Sequence, residues 1–215
     1  MILYGVYGAS GCGRGVMPLV RDQIEREAGR LVFIDDRASN DTRTVNGQEV
    51  LSWQEFLAAP EDERRAVVAI ADPSTRSSIV LRCIQAGIKF FEARARSHVR
   101  MDDVVVGEGG VFSPFTIVTS NVRIGRHFHC NLYGYVEHDC IVGDFVTFGP
   151  GAKCNGNVHI EDYSYIGSGA VIKQGLPDKP LVIGRGAIIG MGAVVTKSVA
   201  PGEIMAGNPA RPIKS

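Results

Sequence analysis

One histidine in this chain has the neighbours that proton transfer needs. His138 stands in the run Glu137-His138-Asp139, with Asn131 a few residues before it. A neutral imidazole accepts a proton near neutral pH, and an adjacent carboxylate fixes its tautomer and raises its basicity. Val136 and Cys140 occupy inward positions of the repeat described below, so His138 falls on a turn and faces outward. The competing reading is a surface histidine with no task. Cys140 invites a nucleophile reading, which its inward phase opposes.

A second constellation lies near the start of the chain. Gly8-Ala9-Ser10-Gly11-Cys12-Gly13 joins a strand to a helix. Glycines there let a ligand approach the backbone, and the helix start offers unpaired N–H groups to phosphate. Asp35 and Asp36 follow the next strand, where an acid can bond ribose or base donors. The spacing departs from the GxGxxG fingerprint, so a tight turn that only packs helix on sheet stays open as the alternative. His127 and His129 flank Phe128 as a possible metal pair. With no identifiable third ligand they read as surface or interface residues, and no metal site is expected.

What must position His138 is a six-residue period. In steps of six from Val106 through Phe112, Val118 and Ile124 to Ile172, every residue is apolar or Cys. Four positions further on the residues are mostly small or β-branched, and the position after each marker is often Gly or acidic. No helix or flat sheet has this period; a coil of three short strands and three turns does. Each rung buries its marker against the rungs above and below. The register breaks after Ile172 and resumes at Ile183, Ile189 and Val195. Extra residues around 175–180, including Pro177 and Pro180, make a loop that projects from the coil. Residues 198–215 form a Gly/Pro-punctuated tail.

Ahead of the coil, residues 2–7 read as a strand. A helix follows, with Val16, Leu19, Val20, Ile24 and Ala28 at helical spacing and Pro18 expected near its first turn. Residues 31–34 make a second strand, and Ser52 with Glu55 forms a capping box for a short helix. A third strand covers 66–71. Asp72 caps the next helix, whose inward face is expected at Ile79, Val80, Cys83 and Ile84, with Gly87 at its end. A fourth strand covers 88–91. This alternation implies a small parallel α/β sheet with crossovers. The boundary is expected near 94–103, giving one domain over residues 1–100 and a coil with its tail over 101–215.

Composition narrows the function. Lys and Arg number 23 against 23 Asp and Glu, so the whole chain signals no basic face for nucleic acid. Residues 1–15 are not expected to be a signal peptide, and no apolar run is long enough to predict a membrane span. The five cysteines lack framework spacing and read as small core residues in a reducing cytoplasm.

With these residues in hand, the chain resembles the sugar acetyltransferases of the left-handed β-helix superfamily. It is most similar to the bacterial branch that N-acetylates nucleotide-linked 4-amino sugars, with the sialic acid O-acetyltransferases nearby. The likeness runs through Tyr7-Gly-Ala-Ser-Gly-Cys-Gly13, Phe33-Ile-Asp-Asp36, Val136-Glu-His-Asp-Cys140, Gly151-Ala-Lys-Cys-Asn-Gly-Asn157 and Gly207-Asn-Pro-Ala-Arg211. The resemblance implies a Rossmann-like nucleotide-sugar-binding domain followed by an all-β, left-handed parallel β-helix; the hand comes from the resemblance alone. It implies acetyl transfer from acetyl-CoA to a nucleotide-linked amino sugar of the 4-amino-4,6-dideoxy kind. The amine would attack the thioester directly, with His138 as general base and Asp139 as its partner. Ser10, Gly11, Cys12, Asp35 and Asp36 would hold the nucleotide-sugar, and Asn131 would lie near the acceptor amine. Ser168 and Met191 would give backbone contacts to the pantetheine arm. Two positions depart from the family: Cys12 and Thr147 stand where it usually has histidines. The implied assembly is a cytoplasmic homotrimer with acetyl-CoA between neighbouring coils. A sialic-acid-type sugar O-acetyltransferase and a non-catalytic, nucleotide-sensing trimeric scaffold are the alternative readings.

Overall fold

In a computed structural model, which describes residues 1–37 and 43–213, the chain divides into two units, Met1–Arg94 and Ala95–Ser215. The last two residues of the expected tail lie outside the described residues.

The first unit runs β1 (Ile2–Tyr7), α1 (Gly11–Ile24), β2 (Gly29–Ile34), β3 (Thr44–Val45), β4 (Gln48–Leu51), α2 (Trp53–Ala58), β5 (Glu63–Val68), α3 (Pro73–Gln85) and β6 (Lys89–Phe90). Its sheet has the order β3-β4-β2-β1-β5-β6 and is parallel except for the β3–β4 hairpin. β1 is central, and all its residues after Ile2 are buried, as a strand covered on both faces requires.

Three local expectations need correction. The β3–β4 hairpin turns on Asn46-Gly47, both with left-handed φ, and this Asn-Gly hairpin signal adds two strands that hydrophobic runs alone did not reveal. Pro18 lies inside α1 and not near its first turn, because the helix already starts at Gly11. Burial of Val16, Met17, Leu19 and Val20 offsets the backbone hydrogen bond that Pro18 removes. In α3 the start at Pro73 sets the phase, so Pro73, Arg76, Val80 and Cys83 are buried while Ile84 is exposed. The Arg76 guanidinium meets the end of the sheet and donates to the Ile70 and Ala71 carbonyls. The capping box at Ser52 and Glu55 makes both of its bonds, and the Asp72 side chain caps α3 through Thr75 N.

The second unit stacks short parallel strands into three walls. The first wall climbs from Val99–Arg100 through Ile117–Val118, Tyr135–Val136, Lys153–Cys154 and Val171–Ile172 to Val194–Val195. The second climbs from Val104–Val106 to Leu181–Ile183, and the third from Val111–Phe112 to Ile204–Ala206. The coil therefore begins before residue 101. Every marker from Phe112 to Ile172 is buried, and Val106 is half-buried at the lower end. Corners between walls carry residues with left-handed φ: Asn121, Asp139 and Asn157 join the first wall to the second. That conformation is tolerated best by Gly, Asn and Asp. Above Ile172 the projecting loop closes on itself through paired backbone bonds between Leu176 and Lys179. Past the loop, Val158–Ile160 pairs with Leu181–Ile183, so the coil resumes in register.

Candidate active site

His138 sits on the corner between the first and second walls. The chain leaves Tyr135–Val136, turns at Asp139 with φ of 57°, and enters Ile141–Val142. Neighbouring rungs pin this turn from both sides. Asp139 N donates to the Ser120 carbonyl at 3.2 Å, and Asn157 N donates to the His138 carbonyl at 3.0 Å.

The side chains form a short relay. His138 Nδ1 lies 2.8 Å from Asp139 Oδ2, and Asn121 Nδ2, one rung below, donates to Asp139 Oδ1 at 3.2 Å. These bonds, His138's first, hold the Asp139 carboxyl below the usual carboxylate range. An ionised carboxylate only accepts hydrogen bonds, so in the neutral imidazole Nδ1 carries the ring proton and Nε2 keeps its lone pair. Both side chains are about half exposed, 45% and 48%, so the pair stands at the surface of the coil. The next rung brings Gly156 against the ring: a Cβ there would fall 2.5 Å from both Cε1 and Nε2. Neither Asn121 nor Gly156 was singled out from sequence, although each stands one full turn of the coil from Asp139 or His138.

Cys140 points into the coil and is fully buried. Its Sγ lies 3.3 Å from the Asn155 carbonyl oxygen and 4.0 Å from Cys154 Sγ. A thiol so enclosed is a core group and presents no nucleophile.

Asn131, Ser168 and Met191 lie on another corner, between the third and first walls. Asn131 Nδ2 donates to the Phe148 carbonyl at 2.9 Å and so ties two rungs together. Ser168 and Met191 stand one rung apart, with Gly192 N donating to the Ser168 carbonyl at 2.8 Å. Among the described residues, neither the Ser168 nor the Met191 amide nitrogen donates a hydrogen bond. Two such N–H groups, about 4.8 Å apart along a ladder, can each donate to a carbonyl oxygen of an extended ligand. Within one chain the width of the first wall separates this corner from His138. Two hollows of the single coil lie elsewhere. One, of about 380 Å³, is lined by Ile141, His159 and Val182; another, of about 430 Å³, by Lys173, Leu176 and Lys197. His138 lines neither.

In the first unit, Ser10 caps α1 without a side-chain bond, and Ser10 and Gly11 are exposed. Gly13 is required by packing, since a Cβ there would meet the Gly8 carbonyl oxygen at 1.7 Å. Asp35 accepts from Ala9 N at 3.1 Å and Arg37 N at 2.9 Å, which ties the second strand's end to the glycine turn. Burial would raise the Asp35 carboxyl, and those N–H bonds outweigh it and hold it low. Asp36 accepts from Tyr7 Oη at 2.7 Å and from Arg82 at 2.8 Å, and Arg82 lies 4.6 Å over the Trp53 ring. Both carboxylates thus shape the turn's surroundings through protein partners. Cys12 is half-buried, and burial pushes its thiol up against the opposing charge of Arg76.

His127 and His129 are both buried, which corrects the reading of them as surface residues. His127 stacks on Phe145 with ring centres 5.2 Å apart, and His129 lies in the third wall, as does Thr147. Among the described residues, no three His, Cys, Asp or Glu side chains gather in a group that could hold a metal.

Comparisons with known proteins give this geometry a family. Residues 139–174 match the family model described as bacterial transferase hexapeptide (six repeats), and residues 5–83 match the PglD N-terminal domain. A GDP-perosamine N-acetyltransferase of Escherichia coli O157:H7 is 50% identical over 217 residues, covering 100% of this chain and 97% of the relative. The structure of WeeI from Acinetobacter baumannii AYE superposes with a TM-score of 0.96 at 52% identity, covering 99% of this chain and 100% of that one. The acetyltransferase domain of PglB from Neisseria gonorrhoeae FA1090, in complex with acetyl coenzyme A, superposes with a TM-score of 0.87 at 28% identity, covering 98% of each chain. The first unit is thus a Rossmann-like domain and the stacked walls are those of a left-handed parallel β-helix. The chain belongs to the hexapeptide-repeat nucleotide-sugar N-acetyltransferases, and it is an acetyl-CoA-dependent acyltransferase.

Proposed function

We propose that the acceptor is the amine of a GDP-linked 4-amino-4,6-dideoxy sugar; the Escherichia coli relative is named for GDP-perosamine. His138 Nε2 removes a proton as the amine nitrogen attacks the thioester carbonyl. The C–N bond forms, the C–S bond breaks, and the proton passes on to the departing thiolate of CoA. A thioester is already a good electrophile, so no acyl-enzyme is needed; alignment and proton removal supply the rate. An outward backbone N–H beside the thioester steadies the developing oxyanion. The observation that carries the reading is the 2.8 Å bond from His138 Nδ1 to an ionised Asp139, which leaves Nε2 free to act as base.

Ser10, Gly11 and Cys12 at the start of α1 receive the nucleotide's phosphates, with Asp35 and Asp36 holding the turn that presents them. Ser168 and Met191 hold the pantetheine arm through their amides. In this reading the working form is a homotrimer whose site is shared between chains, which is supported by these amides and His138 lying on different corners of one coil. Asn131, on the same corner as those amides, then faces the acceptor from the neighbouring chain. The reading carries a cytoplasmic location, in keeping with five free cysteines.

A panel of GDP-, UDP- and dTDP-linked 4-amino sugars, assayed with acetyl-CoA, tests the substrate. The GDP-linked amine should be acetylated with the highest kcat/KM. Preference for another nucleotide, or for a hydroxyl acceptor, would overturn the assignment.

A further inference from the structure

Resting on the reading of His138 as base, the geometry points to Gly156 and Asn121 as positioning residues that hold the imidazole from opposite sides. Gly156 is not a glycine for backbone reasons. It is absent from the residues with left-handed φ, in contrast to the corner glycines Gly151, Gly169 and Gly192. The atoms nearest to a Cβ at residue 156 are all in the His138 ring: Cε1 and Nε2 at 2.5 Å and Nδ1 at 2.9 Å. One added carbon therefore collides with the base itself. The ring can swing aside, since it is half exposed, but a swing breaks the alignment of Nδ1 with Asp139. From the rung below, Asn121 Nδ2 fixes Asp139 Oδ1 at 3.2 Å and stops the carboxylate from turning away with the ring. Rung, base and rung thus form a clamp whose two outer members never touch substrate in this scheme.

The separation of effects is the test. Gly156→Ala should lower kcat by about tenfold to a hundredfold, the penalty of a group displaced by around an ångström. KM for both substrates and the melting temperature should stay close to wild type. Asn121→Ala should lower kcat less, again with KM for both substrates close to wild type, because Asp139 keeps its bond to His138 but loses the one that stops it turning. In a His138→Ala background, Gly156→Ala should cost nothing further, as expected for two residues acting through one contact. Should Gly156→Ala fail to fold, the Gly156→Ala/His138→Ala double variant must fold, since it lacks the colliding ring; a double variant that stays unfolded overturns the inference. Wild-type kcat in Gly156→Ala, with His138→Ala inactive, overturns the inference alone. An active His138→Ala would instead remove the reading on which it rests.

Discussion

At His138 the choice of tautomer is made by one acceptor. Replacing Asp139 with Asn leaves the shape almost unchanged and removes the charge that requires a proton on Nδ1. Asp139→Asn should lower kcat by about tenfold to a thousandfold, within the span of general-base effects, with acetyl-CoA affinity unchanged by calorimetry. The Asp139 carboxyl is held below its ordinary range, so its folded value lies under its unfolded one. Its contribution to the relay is complete above the ordinary carboxylate range and is lost only as the pH falls through the lowered value. A loss of activity that sets in above the ordinary carboxylate range would therefore not belong to Asp139. The pair was legible in the sequence because its two members are adjacent. Asn121 and Gly156 were not, because their contacts pass between rungs and depend on which way the corner turns.

At the scale of elements, period and capping chemistry carried most of the information. The six-residue step located the buried markers, and the inserted loop announced itself by the break in that step. Ser52 and Glu55 fixed the start of α2 because the capping box is a purely local device. Elsewhere local signals lost to packing. α3 buries Arg76 because Pro73 sets its phase, and a charged residue gives no apolar signal for that face. The α2 cap also has a pH signature. Arg43, then Ser52, holds Glu55 down at about 2 from the usual 4.5, so the cap's contribution is present above pH 4.5 and fades as the pH falls toward 2. Ser52→Ala should cost about 1 kcal/mol in urea unfolding at pH 7. The same comparison near pH 2.5 should show a smaller difference; an equal one would mean that the Glu55 bond adds nothing.

At the scale of the whole molecule, the coil arranges chemistry by corner. A repeat that stacks identical turns places every residue of one column above the last, so a single corner can carry a base and another the amides for a coenzyme. No folding of one chain brings two corners of the same coil together, whereas a neighbouring copy can. Sedimentation equilibrium at micromolar concentration should therefore give three times the chain's 23.1 kDa mass. A monomer that turns over at full rate would contradict a shared site. The fold class was readable because the repeat is long and regular. The proposed sharing of the site between copies came from the resemblance and not from the repeat, because spacing along the chain does not say which corners meet in an assembly. The most direct measurement is the turnover of His138→Ala with acetyl-CoA and GDP-perosamine, alongside its acetyl-CoA affinity by calorimetry. A fall in kcat of about a hundredfold or more with affinity unchanged is the predicted result; turnover near wild type with coenzyme still bound would contradict the assignment of the base.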